Sequence, residues 1–232
     1  MENFNDIYRR AAERKGGNLA IAHLTSKPLS NSELSLVTDS EVLAEFTRKI
    51  FQSGFVWAVV NKKWDGFEEV FWNFDIDKLI LMPDDMLERK ATDTKIIRNY
   101  KKVKTVRDNA VWLKELSDEF GSIGQWLASW PSDDITGLWL YLKKHGSRLG
   151  GNTGPYALRQ LGKDTFILSQ DVETYFRANK LIEGGLTSKR SLKIIQETFN
   201  QWQSESGYSL QEISQIVAYS VGDNRVGFSQ AS

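Results

Sequence analysis

The sequence predicts an all-α protein, and three features carry that expectation. Apolar residues return every three or four positions along most of the chain. Serine, aspartate or proline stands where such stretches begin, and glycine where several of them stop. No run that alternates apolar and polar residues has a convincing partner strand.

The elements follow in order. Residues 4 to 15 form a short helix stopped by Gly16 and Gly17. Asp39 or Ser40 caps a longer one that places Val42, Leu43, Phe46 and Ile50 on one face and ends at Gly54. Helical spacing continues through Trp57, Val60, Trp64, Phe67 and Phe71. Pro83, followed by Asp84 and Asp85, starts another helix, because a missing N–H costs little in a first turn and carboxylates favour that end. A basic helix spans about 95–118, and helices at about 122–130 and 134–145 lead to a glycine-rich hairpin at about 146–161. Ser169 or Gln170 opens a helix to about 182, Ser188 another to about 205, and Ser209 a last one to about 220. Residues 1–222 read as one domain and 223–232 as a flexible tail.

Composition narrows the class of protein. A chain of 232 residues, 41% apolar and 26% charged, can bury one sizeable core or two small lobes around a cleft. No apolar run approaches the roughly 18 residues of a membrane span, and the N-terminal segment lacks the apolar core of a signal peptide, so a soluble intracellular protein is expected. Cysteine is absent and His23 and His145 are the only histidines, which excludes disulfides, thiol nucleophiles and any Cys/His zinc site. Thirty basic and thirty acidic side chains cancel, so attraction to a polyanion must come from local distribution. The stretch with Lys95, Arg98, Lys101, Lys102, Lys104 and Arg107 contains no acid and interleaves Ile96, Ile97, Val103 and Val106. It reads as a helix with one buried face and one basic face, either solvated or turned to phosphates.

The run from Leu149 to Val172, LGGNTGPYALRQLGKDTFILSQDV, holds the strongest motif. Gly150, Gly151 and Gly154 permit a tight turn and close backbone approach, and Pro155 fits a first helical turn. Amides at such a turn hold a phosphate without reading base sequence. An ordinary glycine-rich helix cap would use the same glycines.

The order GNTGPYA, then Leu158 and Leu161, resembles the hairpin of helix-hairpin-helix DNA-binding proteins, with Ala157 at the small position where two helices cross. GKDTFILSQDV resembles the passage from that hairpin into the catalytic loop of the related glycosylases, and FQSGFVWAVVNKKWDGFEEVFWNFD with KIIRNYKKVKTVRDNA resembles the core of the DNA-3-methyladenine glycosylase I family. The similarity covers roughly residues 39–180. It implies a two-lobed helix-hairpin-helix glycosylase fold, with a central lobe at about 39–145 and a second lobe made by both chain ends. The partners it implies are damaged double-stranded DNA and an alkylated purine, 3-methyladenine first, flipped out of the stack because its glycosidic bond is out of reach inside it. No membrane, obligate protein partner, metal or redox cofactor is expected. Many enzymes of that family carry a zinc held by two cysteines and two histidines, a set this chain lacks.

The resemblance also assigns roles. Trp57 matches a tryptophan that stacks on the extruded base, with Phe51 and Phe55 close by, while Phe46 and Phe71 read as core. The acid that recognises methylated adenine falls at Lys49, where a cation would repel a positively charged base; either the preferred lesion differs or Glu45, Glu68 or Glu69 has taken the role. Ser169 stands where most relatives of this fold carry a catalytic aspartate, and Asp171 follows as a candidate to stabilise an oxocarbenium-like sugar or orient water, or else to cap its helix. Gly151, Asn152, Thr153, Gly154, Tyr156 and Arg159, with Arg98 and Lys102 of the basic helix, are the expected DNA contacts. A lysine nucleophile is not expected, since the hairpin reads GPYAL at its usual place. The alternatives are a helix-hairpin-helix module that binds DNA without catalysis, a glycosylase for another lesion, or a helical interaction domain unrelated to DNA.

Overall fold

The computed structural model describes residues 2–222, and among these all regular structure is helical: fifteen α-helices and two short 3-10 turns. The segment from Asp223, expected as a tail, lies outside the described residues. The described chain divides into two compact units, one of residues 2–28, 131–136 and 164–222, the other of 29–130 and 137–163.

The first unit opens with α1 (Phe4–Lys15) and α2 (Asn18–Leu24). Gly16 ends α1 at φ 96°, a left-handed conformation that glycine adopts without strain.

The second unit runs from α3 (Asn31–Leu34) to α12. Its helices are α4 (Asp39–Gln52), α5 (Trp57–Lys62), α6 (Trp64–Val70), α7 (Ile76–Ile80), α8 (Asp84–Ala91), α9 (Tyr100–Phe120), α10 (Ile123–Ser129), α11 (Ile135–His145, belonging to this unit from residue 137) and α12 (Thr153–Leu161). The chain then returns to the first unit with α13 (Gln170–Ala178), α14 (Lys189–Ser206) and α15 (Leu210–Ser220).

In the second unit α4 is the central element. Its cap is Thr38 rather than Asp39 or Ser40: the Thr38 hydroxyl accepts from the Glu41 amide while Glu41 accepts from the Thr38 amide, so two orphan donors are satisfied reciprocally. Asp39 is thereby left to accept from the Ile123 amide at 2.8 Å, tying α10 to the start of α4. Val42, Leu43, Phe46 and Ile50 are fully buried, as their spacing predicted, and α4 packs on both α9 and α12. Phe46 stacks parallel to Trp112 of α9 at 6.5 Å. The stretch after Trp57 is two helices, broken at Lys63, instead of one continuous run.

The first unit closes on a different set of side chains. Glu2 accepts from the Tyr175 hydroxyl at 2.8 Å and pairs with Arg10 at 2.6 Å, and the guanidinium holds that carboxyl below the usual range. Phe166, Phe176, Phe199 and Trp202 form a buried aromatic core, the first and third rings stacked at 4.1 Å. Asp164 accepts from the Leu210 and Gln211 amides, supplying partners to the first turn of α15.

Candidate functional site

The last turn of α4, the turn that follows it and the start of α12 enclose a cavity of about 340 Å³ in the second unit, lined by Lys49, Gln52, Ser53, Gly54, Phe55, Trp57, Asn152, Thr153 and Tyr156. Its size falls among those of small-molecule pockets. The sequence builds it by stopping α4 abruptly. Gly54 takes φ 77°, and the chain reverses into α5, whose first residue is Trp57. Val56 caps α5 without a side-chain hydrogen bond, and Trp57, the first residue of that helix, is half exposed. The Trp57 ring meets Tyr156 of α12 edge to face at 5.9 Å and 83°, a favoured aromatic geometry.

Lys102 of α9 holds the turn from below. Its ammonium donates to the carbonyl oxygens of Phe51 at 3.2 Å and Ser53 at 2.5 Å and lies 4.6 Å from the centre of the Phe55 ring. These carbonyls belong to the end of α4, where acceptors have no intrahelical donor. Burial, helped by the nearby Arg148 charge, pushes the Lys102 amine below its usual range.

One wall of the cavity is cationic. The Lys49 ammonium lies 3.2 Å from Glu45 Oε1, donates to Gln52 Oε1 at 3.2 Å and sits 5.2 Å from the Trp57 ring centre. Gln52 is oriented in turn by donating to Asn61 Oδ1 at 3.0 Å. Glu45 is buried behind the lining, 3.8 Å from Arg48, whose guanidinium lies 4.1 Å from the centre of the Trp64 ring. Burial pushes the Glu45 carboxyl upward against the opposing pull of Lys49 and Arg48.

The hairpin turn supplies the other wall. Asn109, fully buried on α9, donates to Ser147 O at 3.2 Å and accepts from the Ser147 amide at 2.7 Å, fixing where the chain leaves α11. Gly151 follows at φ 61° in open space, and Gly154 is buried so closely that a Cβ would lie 2.7 Å from Leu149 O of the turn and 3.1 Å from Leu142 Cδ1 of α11. The Thr153 amide is taken by Gly150 O at 3.3 Å and Pro155 has no N–H, so the start of α12 offers an anion fewer amides than the sequence suggested.

The structure thus gathers Lys49, Phe55, Trp57, Asn152, Thr153 and Tyr156 around one space, with Gly151, Gly154 and Arg159 on the adjoining turn and helix. Four expected residues lie elsewhere. Phe51 is fully buried and edge-on to Phe67 at 4.6 Å, because α4 is still helical there and turns that ring into the core. Glu68 sits on α6 outside the lining, and Glu69 pairs with Lys95. Lys102 is only 6% exposed, its charge turned inward to carbonyls, which removes it from a phosphate-facing surface. The basic helix itself begins at Tyr100 rather than 95, which leaves Arg98 before it; Lys104 and Arg107 pair with Asp108 and Asp84, while Arg98 and Lys101 are exposed. Gln52, Ser53 and Asn61 were not anticipated. A glutamine in the buried last turn of α4 was the available signal.

Ser169 and Asp171 belong to the first unit. Ser169 caps α13, its hydroxyl accepting from the Val172 amide at 3.3 Å. Asp171 stands in the first turn of α13, where a carboxylate is favoured, and its charge partly offsets the downward push of burial and Arg14 on the Lys15 amine.

An all-helical chain with a glycine-turned hairpin beside an aromatic cavity defines the class of helix-hairpin-helix glycosylase folds, and solved structures agree. A variant of 3-methyladenine DNA glycosylase I in complex with 3-methyladenine is similar at TM-score 0.50 and 18% identity, over 66% of this chain and 91% of that one. The 8-oxoguanine glycosylase/lyase of Methanocaldococcus jannaschii, in complex with DNA containing 8-oxoguanine, is similar at TM-score 0.52 and 16% identity, over 91% and 95%. No curated protein sequence matches the chain. The sequence profile of the methyladenine glycosylase family matches residues 35–160, more than half of the chain, and the chain belongs to that family.

Proposed function

We propose that this protein is a DNA glycosylase that hydrolyses the N-glycosidic bond of a damaged purine and leaves an abasic site. The observation that carries the reading is the cavity that Trp57 and Tyr156 line together, a space for a planar base beside a hairpin turn. A base inside a duplex must leave the stack to be attacked, and an aromatic-walled pocket offsets part of the stacking it loses. In this reading Gly151 to Tyr156, with Arg159 and Arg98, hold the DNA backbone, and water supplies the nucleophile. Asp171 is the carboxylate assigned to stabilise the oxocarbenium-like sugar; the Ser169 hydroxyl is engaged as a cap and serves to hold that helix start.

Membership of the family makes an alkylated purine, 3-methyladenine first, the base to test. Lys49 and Ser169 favour a second reading, a module that grips DNA without catalysis. The experiment is release of free bases from methylated duplex DNA by the purified protein, resolved by chromatography, with Trp57→Ala and Asp171→Asn in parallel. Release that disappears in Trp57→Ala is expected. Tight DNA binding without release of any damaged base would establish the binding module instead.

A further inference from the structure

We infer that Lys49 makes the cavity selective for a base that departs as an anion: an uncharged damaged purine bearing a ring carbonyl, in preference to a cationic alkylated one. This rests on the glycosylase reading above. Among the described residues of the lining, Lys49 is the single Lys, Arg, Asp or Glu; the others are amides, hydroxyls, a glycine and aromatic rings. Its side chain is only 10% exposed, its ammonium donates to Gln52 Oε1 at 3.2 Å, and the Glu45 carboxylate lies 3.2 Å away as an ion-pair neighbour. With Gln52 itself fixed by Asn61, the cation is held in place rather than swinging on a free stem. The nearest carboxylate, Glu45, lies behind it and outside the lining.

A fixed ammonium facing a ring cavity discriminates in two ways. A cationic base meets a like charge in a partly desolvated site, which disfavours its entry. Bond breaking adds the second effect. When an N-alkylated purine departs, the electron pair of the C1′–N bond neutralises its charge, and no cation is needed. When an uncharged purine departs, the same pair leaves it anionic, with charge delocalised onto the carbonyl oxygen. Water adds to C1′ and releases one proton to solvent, and the departing base takes up a proton afterwards. A donor set beside that oxygen in advance gains strength as the charge develops, so it favours the transition state over the ground state.

The test compares the wild type with Lys49→Gln and with the pair Glu45→Gln, Lys49→Glu, which avoids placing two carboxylates side by side; circular dichroism checks that each is folded. Substrates are duplexes carrying hypoxanthine or 8-oxoguanine, and methylated duplex. The wild type is expected to release at least one carbonyl base about tenfold or more faster than 3-methyladenine. Lys49→Gln should lower that ratio by about tenfold, the effect of one hydrogen bond to a charged group, and the double variant should reverse it. A wild type that prefers 3-methyladenine, or a ratio unchanged in Lys49→Gln, overturns the inference while leaving the glycosylase reading intact. No release of any base by any of the three proteins overturns both.

Discussion

Replacing Lys102 by methionine keeps the volume of a buried stem and removes its ammonium, which makes it a clean test of how the cavity is held. In the native chain that ammonium satisfies the carbonyl oxygens of Phe51 and Ser53 at 3.2 and 2.5 Å. Ser53 is exposed, so water takes over there; Phe51 is buried, and its unpaired acceptor costs about 1–3 kcal/mol. Relief of the burial that depresses the Lys102 amine offsets part of this, and the net loss should be about 1–2 kcal/mol. For a chain of this size that corresponds to a fall in Tm of about 2–8 °C. Base release should fall further than the population of folded protein, because the turn carrying Phe55 and Trp57 loses its anchor. Thermal melts by circular dichroism, with release assayed well below the transition, measure both. A Tm within about 1 °C of wild type with full release would refute the anchoring argument.

Other substitutions separate packing from chemistry. Trp57 is 50% exposed, so Trp57→Ala should change stability by less than about 1 kcal/mol while removing base release, and Trp57→Phe should restore part of it; a denaturant titration and a release assay check the pair. Gly154→Ala places a Cβ 2.7 Å from Leu149 O and 3.1 Å from Leu142 Cδ1, an overpacking that should cost about 1–3 kcal/mol in denaturant unfolding. Gly151→Ala has open space and only the strain of its positive φ, about 1–2 kcal/mol. The Thr38 hydroxyl, with its amide, holds the Glu41 carboxyl below its ordinary range. A depressed acid contributes stability above its unfolded pKa and loses it as pH falls through the folded one, so Thr38→Ala should raise the Glu41 titration in NMR and flatten the acid side of the stability curve.

Much of the fold was legible because it is local. The span of α1 and its stop at Gly16, and the caps at Ser169, Ser188 and Ser209, follow from side-chain chemistry within one helical turn. The buried face of α4 follows from spacing. What was not legible depends on partners far along the chain. Thr38 is the exception, since Thr38 with Glu41 three residues on is a local capping-box signature; only the service of Asp39 to the distant Ile123 amide needed the structure. Lys102 reads as one more cation on a basic face until α4 is known to end above it with two carbonyls in reach. Of the candidate site, Trp57, Phe55 and Lys49 were visible through resemblance. The chain from Asn61 through Gln52 to Lys49 was not, since a hydrogen-bond relay between two helices leaves no periodic trace.

The central claim is that water cleaves the bond between a damaged purine and its sugar. Mass spectrometry of single-lesion duplexes after incubation with the protein, with and without borohydride, on alkylated and carbonyl-bearing purines alike, tests this most directly. An intact free base and an abasic strand that borohydride does not join to the protein are expected. Unchanged duplex with every lesion, or a strand covalently joined to the protein, would contradict it.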